Sequence, residues 1–287
     1  MGGERKAKLV LLSLVIWLAI SSASVLVKLS GATPEACAFW RLLLSLPLIH
    51  VIGSITGSTS LGRYRLVHLV SGLALALHFV LWMHSLFLVS VYTSTLLVTL
   101  YPIYSLVIEA VVFHKRPRVV QVVGVLVSTI LLAMYLGFTG LELNLGVVEA
   151  LLGGVFAAVY FTSGYYARSK LGESTTAYAL KSYSTATVFI GLVGVVGGAN
   201  LYDYPLSTYV YFILLATIPM ILGHTLMNYL LSRYTASLVT LVSFGEPYGA
   251  GLLAYLLLGE VIGVNQLILG SLILFTVFST IVYAGKE

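Results

Sequence analysis

The stretch LVSFGEPYGAGLLAYLLLGE, residues 241–260, places Glu246 beside Pro247 inside an otherwise apolar run. A charge at the centre of a membrane helix costs about 2.5–3.5 kcal/mol or more. A proline removes a backbone donor and frees a carbonyl one turn earlier. A chain that keeps both has a use for a loosened helix with a carboxylate turned toward the protein interior. The pattern also occurs a second time. Shifted by 145 residues, LYPIYSLVIEAVVFHKRPRVVQ (100–121) falls on GEPYGAGLLAYLLLGEVIGVNQ (245–266), with Pro102 on Pro247 and Gln121 on Gln266. Earlier in each half, FWRLLLS (39–45) resembles ALKSYST (179–185), so that Arg41 meets Lys181.

Around these motifs the chain is apolar throughout. Its 287 residues are 9% charged, with a mean hydropathy of +1.03. Soluble domains carry about 25% charged residues, so the composition indicates an integral membrane protein. The net charge of +5 is scattered in short clusters and forms no basic stripe, which argues against a nucleic-acid partner. The single cysteine, Cys37, excludes an intrachain disulfide and any multi-cysteine metal site. No metal or cofactor is expected. Arg5, Lys6 and Lys8 ahead of an apolar run, with SSAS at 21–24, have the outline of a signal peptide. The run is long enough to span, so a retained first helix is expected. MGGERK lacks the Ser/Thr that favours myristoylation.

A span needs about 20 apolar residues. Ten are expected, at 9–28, 35–53, 65–85, 91–113, 119–138, 147–168, 175–197, 207–230, 235–258 and 263–284. The third and fourth are separated near Leu88–Ser90 on length alone, and the eighth and ninth at Arg233. Lipid satisfies no open backbone groups, so all should be helices. With the N-terminus inside, twelve of the 15 Lys/Arg fall on the inner side and only Lys28 on the outer, which puts both termini in the cytoplasm. The halves, 1–140 and 141–287, have five spans each. An odd number inserts the second half upside down. Such inverted repeats belong to transporters, with the substrate site near mid-bilayer at the repeat interface. The inversion also accounts for Lys115 standing where the second half has Glu260, since a cation is favoured only on the inner side.

AFWRLLLSLPL in span two, the proline-centred span four, and SFGEPYGAGLLAYLLLGE followed by Gln266 resemble the EamA-type branch of the drug/metabolite transporter superfamily, over essentially the whole chain. The resemblance implies ten helices in two inverted five-helix repeats and transport of amino acids or other small metabolites. This chain departs from the pattern at Tyr101, which stands opposite Glu246, and at Lys115, where an acid is frequent. The spacing after the glutamines also differs, Gly124 following by three and Gly270 by four.

Polar residues within spans are the candidates for a site. Glu246 could bind or exchange a cation, with Pro247 and Pro102 as hinges. Arg41 and Lys181 could hold an anionic group, or could snorkel and form structural pairs. His78 and Trp82 share a face of span three, and His224 and Asn228 a face of span eight, all spaced i,i+4. Interhelical hydrogen bonding is the alternative reading for the latter set. Trp17, Tyr101, Tyr104, Tyr160 and Tyr248 are further cavity candidates. Glu109 is expected to pair with Lys115 or Arg116. The substrate site is thus expected at Trp17, Arg41, His78, Trp82, Tyr101, His224, Asn228, Glu246 and Tyr248, in a centre made mainly by spans one, three, four, six, eight and nine.

The function expected is secondary transport of a small metabolite, an amino acid first, by alternating access, with efflux favoured. The alternatives are a proton-coupled exporter of cationic or hydrophobic drugs working through Glu246, and a phosphorylated-sugar carrier. No Walker A pattern, aspartate-rich motif or His-Glu-x-x-His is present, which argues against direct ATP drive and against an intramembrane enzyme. A prokaryotic plasma membrane and a monomer fit these features.

Overall fold

A computed structural model describes residues 2–58, 62–114, 116–140 and 143–284, with the backbone alone for residues 2–6 and 284. Lys115, Glu142 and Lys286 lie outside the described residues, as do the side chains of Arg5 and Lys6. Among the described residues there is no strand. Ten helices are long and apolar enough to cross a membrane: α1 (Ala7–Ser30), α2 (Pro34–Ile55), α3 (Leu66–Ser85), α4 (Val91–Val112), α5 (Val119–Phe138), α6 (Leu145–Lys170), α7 (Thr175–Val196), α8 (Leu206–Leu230), α9 (Ala236–Leu258) and α10 (Val264–Tyr283).

Local chemistry sets the helix starts. The side chains of Thr33, Ser90, Asn144 and Ser174 accept the backbone N–H three residues on, at 3.0–3.3 Å. Each satisfies one of the first-turn donors that a helix leaves open. Ser90 thus separates α3 from α4, where no charge marks the boundary.

Helix pairing is reciprocal between the halves. α3 packs on α6 and α8 on α1; α3 packs on α7 and α8 on α2; α4 packs on α6 and α9 on α1. Three further pairs, α2–α7, α4–α9 and α5–α10, each join a helix to its own counterpart. The two five-helix repeats therefore interlock across a pseudo-twofold axis. With ten spans both termini lie at one side of the bundle, here called the terminal side.

Five of these helices are irregular. α1 is interrupted at Ser22, between Gly2–Ser21 and Ala23–Ser30. α4 is helical over Val91–Val98 and again over Tyr101–Val112, with Pro102 in the first turn of the second segment. α9 repeats this plan: Ala236–Val239, a tighter 3-10 stretch Thr240–Gly245, then Glu246–Leu258 with Pro247 in the first turn. Proline lacks the N–H that would continue the ladder, so both helices break at mid-length. In α8 the stretch Ala216–Thr225, which contains Pro219, is wound as a π-helix. α6 also ends in a π turn, Tyr166–Lys170.

Candidate functional site

The two breaks face each other. Between them lies a small cavity of about 20 Å³, lined by Ile20 and Ala23 of α1, Arg41 of α2, His78 and Trp82 of α3, Val98 and Tyr101 of α4, His224 and Met227 of α8, and Glu246 of α9. That volume holds about one water molecule. The helices must therefore separate before a metabolite can enter.

Arg41 is 1% exposed and Glu246 7% exposed. They line the same cavity, yet among the described residues they form no ion pair with each other. The Nε and Nη1 of Arg41 have no hydrogen-bond partner. Its Cζ lies 4.2 Å from the centroid of the Phe79 ring, which supplies a cation–π contact in place of a counter-ion. The Nε1 atoms of Trp17 and Trp82 are likewise buried and unpartnered. Of these, the donors of Arg41 and Trp82 stand open around the cavity that Glu246 also lines.

His78 bonds the carbonyl of Gly153 through Nδ1 at 2.9 Å. A carbonyl only accepts, so Nδ1 carries the proton and Nε2 keeps its lone pair. The ring stacks on Trp82 at 6.0 Å with 7° between planes. His224 stacks on Phe161 at 5.7 Å and meets Phe79 edge-on at 5.1 Å. Aromatic faces therefore wall the cavity between its two charges.

Six of the nine expected site residues meet here: Arg41, His78, Trp82, Tyr101, His224 and Glu246. Three are placed outside. Trp17 lies one turn before Ile20 and packs on the α9 break; a Cβ at Gly245 would stand 2.1 Å from its Nε1, so only glycine admits the indole there. Tyr248 turns to α10 and donates to Ser271 Oγ at 2.8 Å. Asn228 is held away by Tyr160 and Tyr183, whose hydroxyls contact its Nδ2 at 2.6 and 3.3 Å. Met227, and not Asn228, joins His224 at the cavity. Tyr160 also lies in that network, stacked on Tyr178. Helix α6 supports the site through Gly153 and Phe161 without lining it, whereas α2 contributes the expected Arg41.

Several other membrane charges are held in structural contacts. Lys181 pairs with Glu173 and donates to the carbonyl of Arg63 at 3.1 Å. His68 accepts from the N–H of Arg65 through Nδ1 at 2.9 Å, so its Nε2 donates to Glu173 at 2.7 Å. Glu109 accepts from the N–H and Oγ of Ser237 in α9, at 3.1 and 3.0 Å; its expected pairing with Lys115 lies outside the described residues.

The model of the EamA-like transporter family matches residues 6–137 and again residues 144–282. No curated protein matches the chain. A crystal structure, described only as that of a protein, superposes with a TM-score of 0.71 over 98% of this chain and 99% of the other, at 15% identity. At that identity the likeness is one of fold.

Proposed function

This chain belongs to the EamA-like transporter family of membrane transporters of small molecules, and from that premise we propose that it carries a zwitterionic metabolite, an α-amino acid, through the cavity between Arg41 and Glu246. The observation that carries the reading is the pair of opposite charges that, among the described residues, form no ion pair around one small space. A buried ion without a partner is destabilising by several kcal/mol. An amino acid offsets both costs at once, its carboxylate accepting from Arg41 and Trp82 and its ammonium facing Glu246. Arg41 and Glu246 are brought together by helices from different repeats, so relative motion of the repeats would assemble and dismantle the site. This is alternating access about a fixed midpoint. The excess of Lys/Arg on the terminal side supports cytoplasmic termini and a plasma membrane. Efflux is the direction favoured, on the family resemblance.

The test is a thermal-shift series on the purified protein with an amino acid, its amine lacking the carboxylate and its acid lacking the amine. Only the zwitterion should stabilise, by about 2.7 kcal/mol at a hundred times its dissociation constant. Equal stabilisation by the amine alone would instead support the second reading, a proton-coupled exporter of cations working through Glu246. The aromatic walls formed by His78, Trp82 and Tyr101 favour that reading. A phosphorylated-sugar carrier loses one of its two cations, because Lys181 is committed to Glu173.

A further inference from the structure

We propose that Glu109 and Glu260 are positioning residues that latch two alternative gates, one at each end of the α4–α9 pair. The proposal rests on the transporter reading above but not on the identity of the cargo.

α4 and α9 run antiparallel and are both broken at the depth of the cavity. Their contact is therefore divided. Val91–Val98 packs on Glu246–Leu258 at one side of the membrane, and Tyr101–Val112 packs on Ala236–Val239 at the terminal side. Each half-contact is closed at its outer end in the same way: a carboxylate from the C-terminal end of one helix takes the first-turn N–H of the other. On the terminal side Glu109 of α4 accepts from Ser237 N and Oγ, at 3.1 and 3.0 Å. On the opposite side Glu260, just past the end of α9, accepts from Val91 N at 2.8 Å and forms an ion pair with Lys28 of α1 at 2.6 Å. The capped residues correspond in the repeats to within one position, since 91 plus 145 is 236. The carboxylates do not correspond: Glu109 lies within α4, whereas Glu260 follows α9. The two latches are thus built from different residues at equivalent places.

First-turn N–H groups have no partner within their own helix, and carboxylates there also meet the positive end of the helix dipole. Swinging one half-contact open leaves these donors unpaired unless water reaches them. Opening at one end therefore costs the latch at that end and leaves the other intact. Because the breaks at Pro102 and Pro247 uncouple the two halves of each helix, the cavity can be exposed at one side while the opposite latch stays closed. In the structure both are closed, in keeping with the small volume of the cavity between them.

The test places single cysteines on the buried α4–α9 faces of a Cys37→Ser protein. Ser105→Cys reports the terminal side and Ala254→Cys the opposite side; both native residues are essentially buried. Alkylation by N-ethylmaleimide is followed in detergent without added substrate. Glu109→Ala should raise the rate at Ser105→Cys about tenfold and lower it at Ala254→Cys, and Glu260→Ala should do the reverse. Ser237→Ala and Lys28→Ala each remove one contact while keeping the carboxylates, and should act in the same directions more weakly. Labelling that rises at both reporters in either variant, or at neither, overturns the proposal. No cargo enters the measurement, so its failure is separate from failure of the zwitterion reading.

Discussion

Tyr101 and Glu246 stand 145 residues apart, each begins the second helical segment of a broken span, each is followed by proline, and both face one cavity. The two repeats have thus supplied the same geometric position with different chemistry. Trp82 and Met227 stand in the same relation, again 145 apart and again both lining the cavity. Duplication provides a symmetric frame, and divergence places the carboxylate on one side only. A symmetric pair of glutamates would repel across a space this small. One carboxylate can instead be matched by the single guanidinium of Arg41.

Arg41 and Lys181 should respond to loss of charge with opposite signs. Among the described residues Arg41 has no anionic partner within 4 Å, so Arg41→Met removes a buried cation without breaking an ion pair. The melting temperature of the ligand-free protein should hold or rise, while stabilisation by the zwitterion disappears. Lys181 is paired, so Lys181→Met strands Glu173 on His68 alone. Breaking such a buried pair costs about 3–5 kcal/mol. Thermal denaturation of both variants with and without ligand checks the contrast; a loss of stability in Arg41→Met without ligand would contradict it.

Gly245 should tolerate no side chain while Trp17 is present. A Cβ there would lie 2.1–2.6 Å from three atoms of the indole. Forced overpacking of this kind costs about 1–3 kcal/mol. Gly245→Ala should lower the melting temperature, and adding Trp17→Leu should recover part of the loss. A double-mutant cycle gives the coupling directly; additive effects would mean that the indole can move aside without cost.

Much of this architecture is legible in the amino-acid sequence. Hydropathy locates all ten spans to within a few residues, because lipid imposes a length and forbids open backbone. The 145-residue shift carries further than the choice of polar residues. It pairs Trp82 with Met227, and the structure brings that pair to the cavity; a search for polar groups picks Asn228 instead. Asn228 is taken up by the hydroxyls of Tyr160 and Tyr183, which an i,i+4 rule within one helix cannot anticipate. Nor can spacing show that Glu109 reaches α9, because that contact depends on how two broken helices lie against each other. Ser90 is readable as a helix cap, and places the boundary between α3 and α4 without recourse to length.

Asn228 and Met227, adjacent in sequence, should separate stability from selectivity. Asn228→Leu leaves the Tyr160 and Tyr183 hydroxyls without its amide. Interhelical hydrogen bonds in membranes average about 0.6 kcal/mol, reaching about 1.7. The melting temperature should fall by a matching few degrees, with the preference among amino acids unchanged. Met227→Ala enlarges the cavity wall and should shift that preference toward bulkier side chains. Competition binding across a panel of amino acids distinguishes the two; a selectivity change in Asn228→Leu alone would return the network to the site.

Pro102 and Pro247 should control rate more than affinity. Replacing either by alanine restores an N–H that can donate to Val98 O or Ser243 O, the carbonyls one turn earlier. One additional backbone hydrogen bond contributes about 0.5–1.5 kcal/mol. If the breaks must flex for each half-contact to open, Pro247→Ala and Pro102→Ala should slow exchange by about two- to tenfold and leave the dissociation constant of the zwitterion within about twofold. Neither proline side chain lines the cavity, so binding has no direct reason to change. Counterflow in proteoliposomes reads the rate, and thermal shift reads the affinity. Because the breaks occupy equivalent places, the two variants should slow exchange from opposite sides: one by hindering release at the terminal side, the other by hindering capture at the far side. Combining them should then reduce the rate beyond either alone. Unchanged exchange in the double variant would make both breaks features of packing, with the motion located elsewhere in the bundle.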